Sequence, residues 1–178
     1  VKRLRTWLQE VEKMGLDAFV YCDCVEKKRL KTAHPFSKQL VIRRDGCPDI
    51  RSTDPKKLEL HDRWMEKRAC RHEQCMLAGN WLGNAGWISL LLAEVNKISR
   101  KLGKEFPVLR DQVIYCGTHT GDYLRLKDVK RLEKEIKFLR SQDLKKARVR
   151  DVEGMNEFLS KLKLLVEASL KVRKPIAF

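Results

Sequence analysis

Residues 16–24, LDAFVYCDC, constrain the fold more than any other stretch of the chain. Leu16, Ala18, Val20, Cys22 and Cys24 alternate along one side, while Phe19 and Tyr21 fall on the other. A period of two marks a β-strand, and apolar side chains on both faces mark one that lies inside a sheet. Such a strand needs partners at its edges and cover on its faces. The cover is legible further on, where Ile88, Leu91, Leu92, Val95, Ile98 and Leu102 recur at helical spacing over 87–102 and Gly103 ends the pattern.

The same periodicities order the rest. Residues 3–13 place Leu4, Trp7, Leu8 and Val11 on one helical face ahead of Gly15, and the polar, basic stretch 27–38, broken by Pro35, reads as a loop in which His34 is exposed. Leu40, Val41 and Ile42 resume β character, and Asp45-Gly46 is a turn that closes a hairpin onto 50–52. Asp54 caps a helix that Pro55 begins, with Leu58, His61, Trp64 and Met65 near one face. Residues 113–116 read as a short strand, and helices follow over 127–140 and 155–170, joined by the charged stretch 141–151, the most mobile connection expected. Trp64, Trp81 and Trp87 fall at helical spacing and read as core. The pattern predicts one α+β domain over 1–178, with a small, mostly antiparallel sheet of three or four strands packed against several helices.

Composition narrows the setting. Apolar residues make up 43% of the 178, enough for a real core, and charged residues 35%, a heavily charged exterior. The longest apolar stretch, 87–93, is far too short to cross a bilayer, and 1–13 lacks the apolar run of an export signal. The expectation is a cytoplasmic protein without a membrane partner, whose six cysteines are thiols, ligands or core residues. A net charge of +15 attracts nucleic acid or an acidic protein. The cations are spread over 26–31, 97–104, 127–150 and 161–174 without interleaved aromatics, so a solvated surface and a nucleic-acid footprint both fit.

Two sets of residues carry chemistry. Cys22 and Cys24 at a strand end, with Cys70, His72 and Cys75 where one helix gives way to the next, offer the thiolates and imidazole of a tetrahedral zinc site pinning strand to helix. Against zinc, Cys-x-Cys and Cys-x-His are not the well-attested Cys-x-x-Cys pairs, and a cysteine continuing an apolar face also serves as a small core residue or a redox group. Cys47, in the hairpin turn, reads as incidental. The second set is the loop 117–122, GTHTGD, where His119 and Asp122 form a candidate proton-transfer pair with Arg125 or Lys127 at the rim. A structural loop whose side chains satisfy its own amides fits as well. His61 reads as a packed residue with one hydrogen bond.

The tetrapeptide Met14-Gly15-Leu16-Asp17, together with Asp23-Cys24, Cys70 ahead of His72-Glu73, Leu82-Gly83-Asn84, Phe106-Pro107, Gly117-Thr118-His119 and Gly121-Asp122, resembles a group of bacterial proteins that begin Met-Gly-Leu-Asp. The resemblance covers about residues 14–139. It implies a bacterial origin and an upstream extension over 1–13, and carries no activity. No full catalytic constellation or cofactor fingerprint is present, so the sequence points first to a non-enzymatic binding or interaction domain with a candidate structural metal site. A small enzyme using the loop 117–122 and a basic nucleic-acid-binding protein are the alternatives.

Overall fold

The computed structural model describes residues 15–178 apart from Arg68, Thr118 and Thr120, so the helix expected over 3–13 lies outside the described residues. In chain order the strands are β1 (Gly15–Tyr21), β2 (Leu40–Ile42), β3 (Pro48–Ile50), β4 (Met76–Asn84), β5 (Tyr123–Leu124) and β6 (Ile176–Ala177). The helices are α1 (Pro55–Lys67), α2 (Ala85–Leu102), α3 (Leu126–Ser141) and α4 (Val152–Val172). The fold is α+β: a four-stranded antiparallel sheet in the order β4-β1-β6-β5, and a separate hairpin, β2-β3.

β1 lies inside its sheet as its two apolar faces require. Leu16, Ala18 and Val20 are fully buried, β4 runs along one edge, and β6 pairs with the other at Phe19. Against this sheet pack α2, through Ile88, Leu91, Val95 and Ile98, and α4, through Phe158, Leu162 and Leu165, with α3 on α4. Asn84 Oδ1 caps α2 by accepting the Trp87 amide at 2.8 Å, and Gly103 closes it in the left-handed conformation at φ 58°. Asp54 Oδ1 accepts the Lys56 amide at 2.9 Å at the start of α1, as Asp54-Pro55 predicts. The connection after α3 turns Leu144, Ala147 and Val149 into the same core.

Several expectations are corrected. The strand expected over 113–116 is not formed. Leu109–Val113 makes a π-helical turn in which Phe106, Leu109, Val113 and Ile114 are all buried, a helical spacing that a short apolar run conceals. The buried Glu135 supports that turn, accepting the Val108 and Leu109 amides at 3.1 and 2.8 Å. β4, with two glycines and two asparagines, carries no clear period of two, and β5 and β6 are too short to show one. Trp81 is therefore not core: alternation along the edge strand β4 sends Leu82 inward and leaves Trp81 51% exposed. The hairpin closes two residues earlier than expected, with Leu40 opposite Ile50. His34 is buried rather than exposed, because it packs against α1.

A second, smaller core sits off the end of β1. It consists of Cys22, Cys24, Trp64, Ala69, Cys70 and Cys75, edged by Leu30, Leu40, Met65 and Leu77. Four of its six buried members are cysteines, so it holds little of the large aliphatic surface that stabilises the main core.

Candidate metal centre

The chain leaves β1 at Tyr21 and stays paired for one more residue, the Cys22 amide donating to the Cys75 carbonyl at 2.7 Å. It then turns sharply, the Lys27 amide reaching the Asp23 carbonyl at 3.0 Å and the Arg29 amide the Cys24 carbonyl at 2.8 Å. Asp23 holds the turn from its side chain, with Lys27 at 2.6 Å and Arg29 hydrogen-bonded beside it, and the two cations keep its carboxyl below its ordinary range. Opposite, the chain leaves α1 through Ala69, whose amide donates to the Trp64 carbonyl at 2.8 Å and whose carbonyl accepts the Lys31 amide at 3.0 Å. Gln74 and Cys75 take left-handed backbone at φ 46° and 57°, which turns the chain into β4. Two sequence-distant turns are thereby brought face to face.

Four ligand atoms converge there. Cys22 Sγ lies 3.6 Å from Cys70 Sγ, Cys24 Sγ 3.4 Å from His72 Nδ1, and Cys70 Sγ 3.6 Å from His72 Nδ1; all four lie within 4.8 Å of one another. A tetrahedral ion bound at ~2.3 Å to sulfur and ~2.0 Å to nitrogen holds its donors roughly 3.4–3.8 Å apart. The protein sets these three separations at that spacing. The first cysteine of each pair also accepts an amide two residues on, Cys24 to Cys22 and His72 to Cys70, the latter at 3.4 Å. Amide donors favour sulfur in its charged, ligating form.

Either Cys22 or Cys75 is expected to complete a shell of Cys24, Cys70 and His72; Cys22 joins the group and Cys75 stands beside it. Its thiol is 3.9 Å from Cys70 Sγ and fully buried, outside the group of four. Cys22, Cys24 and Cys75 titrate in dependence on one another. The hydrogen bond from Cys75, with the Cys24 amide and the Cys70 and Cys24 thiols, pulls Cys22 down to about 4 against the effect of burial. Burial and the neighbouring Cys22 then push Cys24 up to about 12, and Cys75 is raised by Cys22 and by burial. One sulfur gives up its proton readily, and ionising more of them in so small a volume calls for a cation.

Three groups that the sequence does not mark support the site. Trp64, 3% exposed, packs on the sulfur cluster and donates Nε1–H to the Thr32 carbonyl at 3.0 Å. Lys174 reaches across from the segment before β6, its buried ammonium donating to the Cys22 carbonyl at 2.7 Å. Nothing local to position 174 marks it as a support for position 22. The third group is a histidine pair on the flank of Trp64. The Phe36 amide donates to His34 Nδ1 at 2.9 Å, so His34 carries its proton on Nε2 and gives it to His61 Nδ1 at 3.0 Å. His61 is thus packed with one hydrogen bond, as the sequence suggests.

His34 makes stability pH-dependent. Burial, then His61, holds His34 below its ordinary 6.5. The unfolded chain takes up a proton below about 6.5 that the folded chain refuses, so the stability is complete above that pH and is lost as pH falls below it. Urea unfolding between pH 7.5 and 5 should show this as a slope of up to ~1.4 kcal/mol per pH unit. His34→Gln should remove that contribution while proton-driven metal release persists; equal slopes in the two proteins would overturn the assignment.

Within the loop 117–122, His119 turns its side chain inward. The His119 side chain is 3% exposed, donates Nε2–H to the Val113 carbonyl at 2.9 Å, and packs its ring at a tilt against Phe178, centroids 4.5 Å apart. Its Nδ1, without a hydrogen-bond partner among the described residues, lies 3.5 Å from Asp122 Oδ2, which accepts the Tyr115 hydroxyl at 2.6 Å. Asp122 lines a surface depression of about 350 Å³ in which His119 takes no part. Gly117 meets the start of α2 so closely that a Cβ would lie 2.4 Å from Ala85 Cα. The Gly121 amide and the Asp122 carbonyl pair with Phe178, so this loop ties α2 to the segment after β6. Arg125, the expected rim residue, bonds Asp128 at 3.3 Å.

The Cys22, Cys24, Cys70 and His72 group is therefore the site whose geometry carries chemistry. Family models, curated proteins and solved structures yield no match to this chain.

Proposed function

We propose that this chain is a non-enzymatic interaction domain of the bacterial cytoplasm whose smaller core is organised by a structural zinc ion held by Cys22, Cys24, Cys70 and His72. The observation that carries the reading is the convergence of three buried thiols and a half-buried imidazole from two chain segments, 48 residues apart, all within 4.8 Å of one another and three of their separations at tetrahedral spacing. Three sulfurs and one imidazole select zinc over harder cations. Four protein donors close the shell and leave no position for a substrate or an activated water, which favours a structural over a catalytic role. All six cysteines are thiols rather than disulfides, in keeping with a reducing compartment. The inward-facing His119 leaves the loop 117–122 with a structural task and supports the non-enzymatic reading.

Elemental analysis of gently purified, untagged protein tests this. One zinc per chain is expected, and cobalt substitution should give the intense thiolate-to-metal absorption of a tetrahedral sulfur site. Cys24→Ser, Cys70→Ser and His72→Ala should each lose stoichiometric metal, while Cys75→Ser keeps it. Metal-free protein from a gentle preparation would end the proposal, and loss of metal in Cys75→Ser with metal kept in His72→Ala would replace His72 by Cys75 in the shell.

A further inference from the structure

The net charge of +15 is spread along the sequence, but the fold gathers a disproportionate part of it in one place. The second half of α2 and the turn beyond it, residues 94–104, carry Lys97, Arg100, Lys101 and Lys104. The connection at 143–151 carries Lys145, Lys146, Arg148 and Arg150. Lys97 Nζ donates to the Arg148 carbonyl and Lys101 Nζ to the Lys146 carbonyl, and Arg150 reaches back to Glu94 at 3.8 Å. These clamps lay the connection along the helix. Eight cations stand there against Glu94, Asp143 and Asp151, a net charge of +5 from 20 residues, a third of the chain's total. Lys145, Lys146, Arg148 and Arg150 are exposed, as are Arg100, Lys101 and Lys104.

The helix dipole accounts for Arg100 and Lys101 in the last turn of α2. It does not account for four further cations presented by a neighbouring segment. The chemistry of the patch is also selective. Leu102 is its sole exposed large apolar side chain, so it lacks the apolar centre that a protein partner buries. It contains no aromatic residue, so it offers nothing on which unpaired bases stack. A polar, strongly positive surface without either feature matches the sugar–phosphate backbone of a duplex.

We infer that the surface formed by residues 94–104 and 143–151 binds the phosphodiester backbone of double-stranded nucleic acid, without base readout. The inference is independent of the zinc reading and is tested on the metal-loaded protein. Fluorescence anisotropy with duplexes of about 20 base pairs, one DNA and one RNA, is followed from 50 to 200 mM salt. Binding should weaken steeply, with a log–log slope of roughly −0.9 per phosphate contacted on the DNA duplex. Lys145→Gln with Lys146→Gln should lower affinity at least tenfold at 50 mM salt and flatten that slope by about 1.8, two contacts' worth. Lys28→Gln with Lys31→Gln, which removes equal charge from another exposed stretch, should stay within about twofold of the unsubstituted protein. A preference between the two duplexes identifies which supplies the backbone. Undetectable duplex binding at 50 mM salt, equal losses in the two variants, or binding to polyglutamate but not to duplex would each overturn the inference.

Discussion

Chelation should lower the melting temperature of the metal-loaded protein by about 10 °C or more. The smaller core owes its cohesion to sulfur rather than to aliphatic surface, since among the described residues Trp64 and Ala69 are its only buried members that are not cysteine. Without a cation, Cys24 and Cys75 hold their protons and the donors lose their common partner. Structural zinc contributes an apparent ~10–16 kcal/mol in modules with no other core. Here the main core of β1, α2, α3 and α4 persists, so the loss should be a fraction of that, about 4 kcal/mol. In a domain of this size, each kcal/mol moves the midpoint by roughly 2–4 °C. Differential scanning calorimetry with and without a strong chelator measures the shift, and readdition of zinc should restore it. A melt indifferent to the chelator would mean that the thiols are core residues and nothing more.

The second large effect is expected far from the metal in sequence. Lys174 is 5% exposed, and its ammonium donates to the Cys22 carbonyl at 2.7 Å and to the Gly46 carbonyl at 3.1 Å while pairing with Glu26 at 2.8 Å. It joins the segment before β6, the turn between β2 and β3, and the strand end that carries the first two ligands. Replacing it with Met preserves the apolar stem and removes the charge, leaving two carbonyls without their donor. Because Glu26 is partly solvated, its share is small, and the carbonyls dominate. Lys174→Met should cost about 2–3 kcal/mol, which is roughly 5–10 °C of melting temperature. It should also weaken metal binding about tenfold, as the loss of outer support for a ligand does. Thermal melts and competition with a chromophoric chelator read the two effects separately. A melt within about 2 °C of the unsubstituted protein, less than 1 kcal/mol, would show that Lys174 is not a tie between the cores.

Local periodicity explains what is legible without the fold. The strand with two apolar faces expected over 16–24 forms as the interior strand β1 up to Tyr21, with Cys22 to Cys24 leading into the turn beyond it, and the stripe of Ile88, Leu91, Val95 and Ile98 is the core face of α2. Both patterns arise within one element, where spacing and side-chain direction are tied. The candidate metal ligands are legible as residue types, because few side chains bind transition metals and Cys22, Cys24, Cys70 and His72 come in two close pairs. Which four of the five converge is decided by the turns at Asp23 and at Gln74-Cys75, which are tertiary. β5 and β6 are not legible, because two residues carry no period and their pairing is made only when Asp122 and Phe178 meet. The turn at Leu109–Val113 escapes a local reading because the Val108 and Leu109 amides at its start are satisfied by Glu135, a side chain on another helix. His34 escapes it because its burial is supplied by α1. The chain by itself determined which segments are helix or strand over most of its length and which side chains can hold a metal. The tertiary structure decided where distant donors meet, which polar groups are buried, and that two basic stretches form one surface, because each depends on contacts between residues tens of positions or more apart.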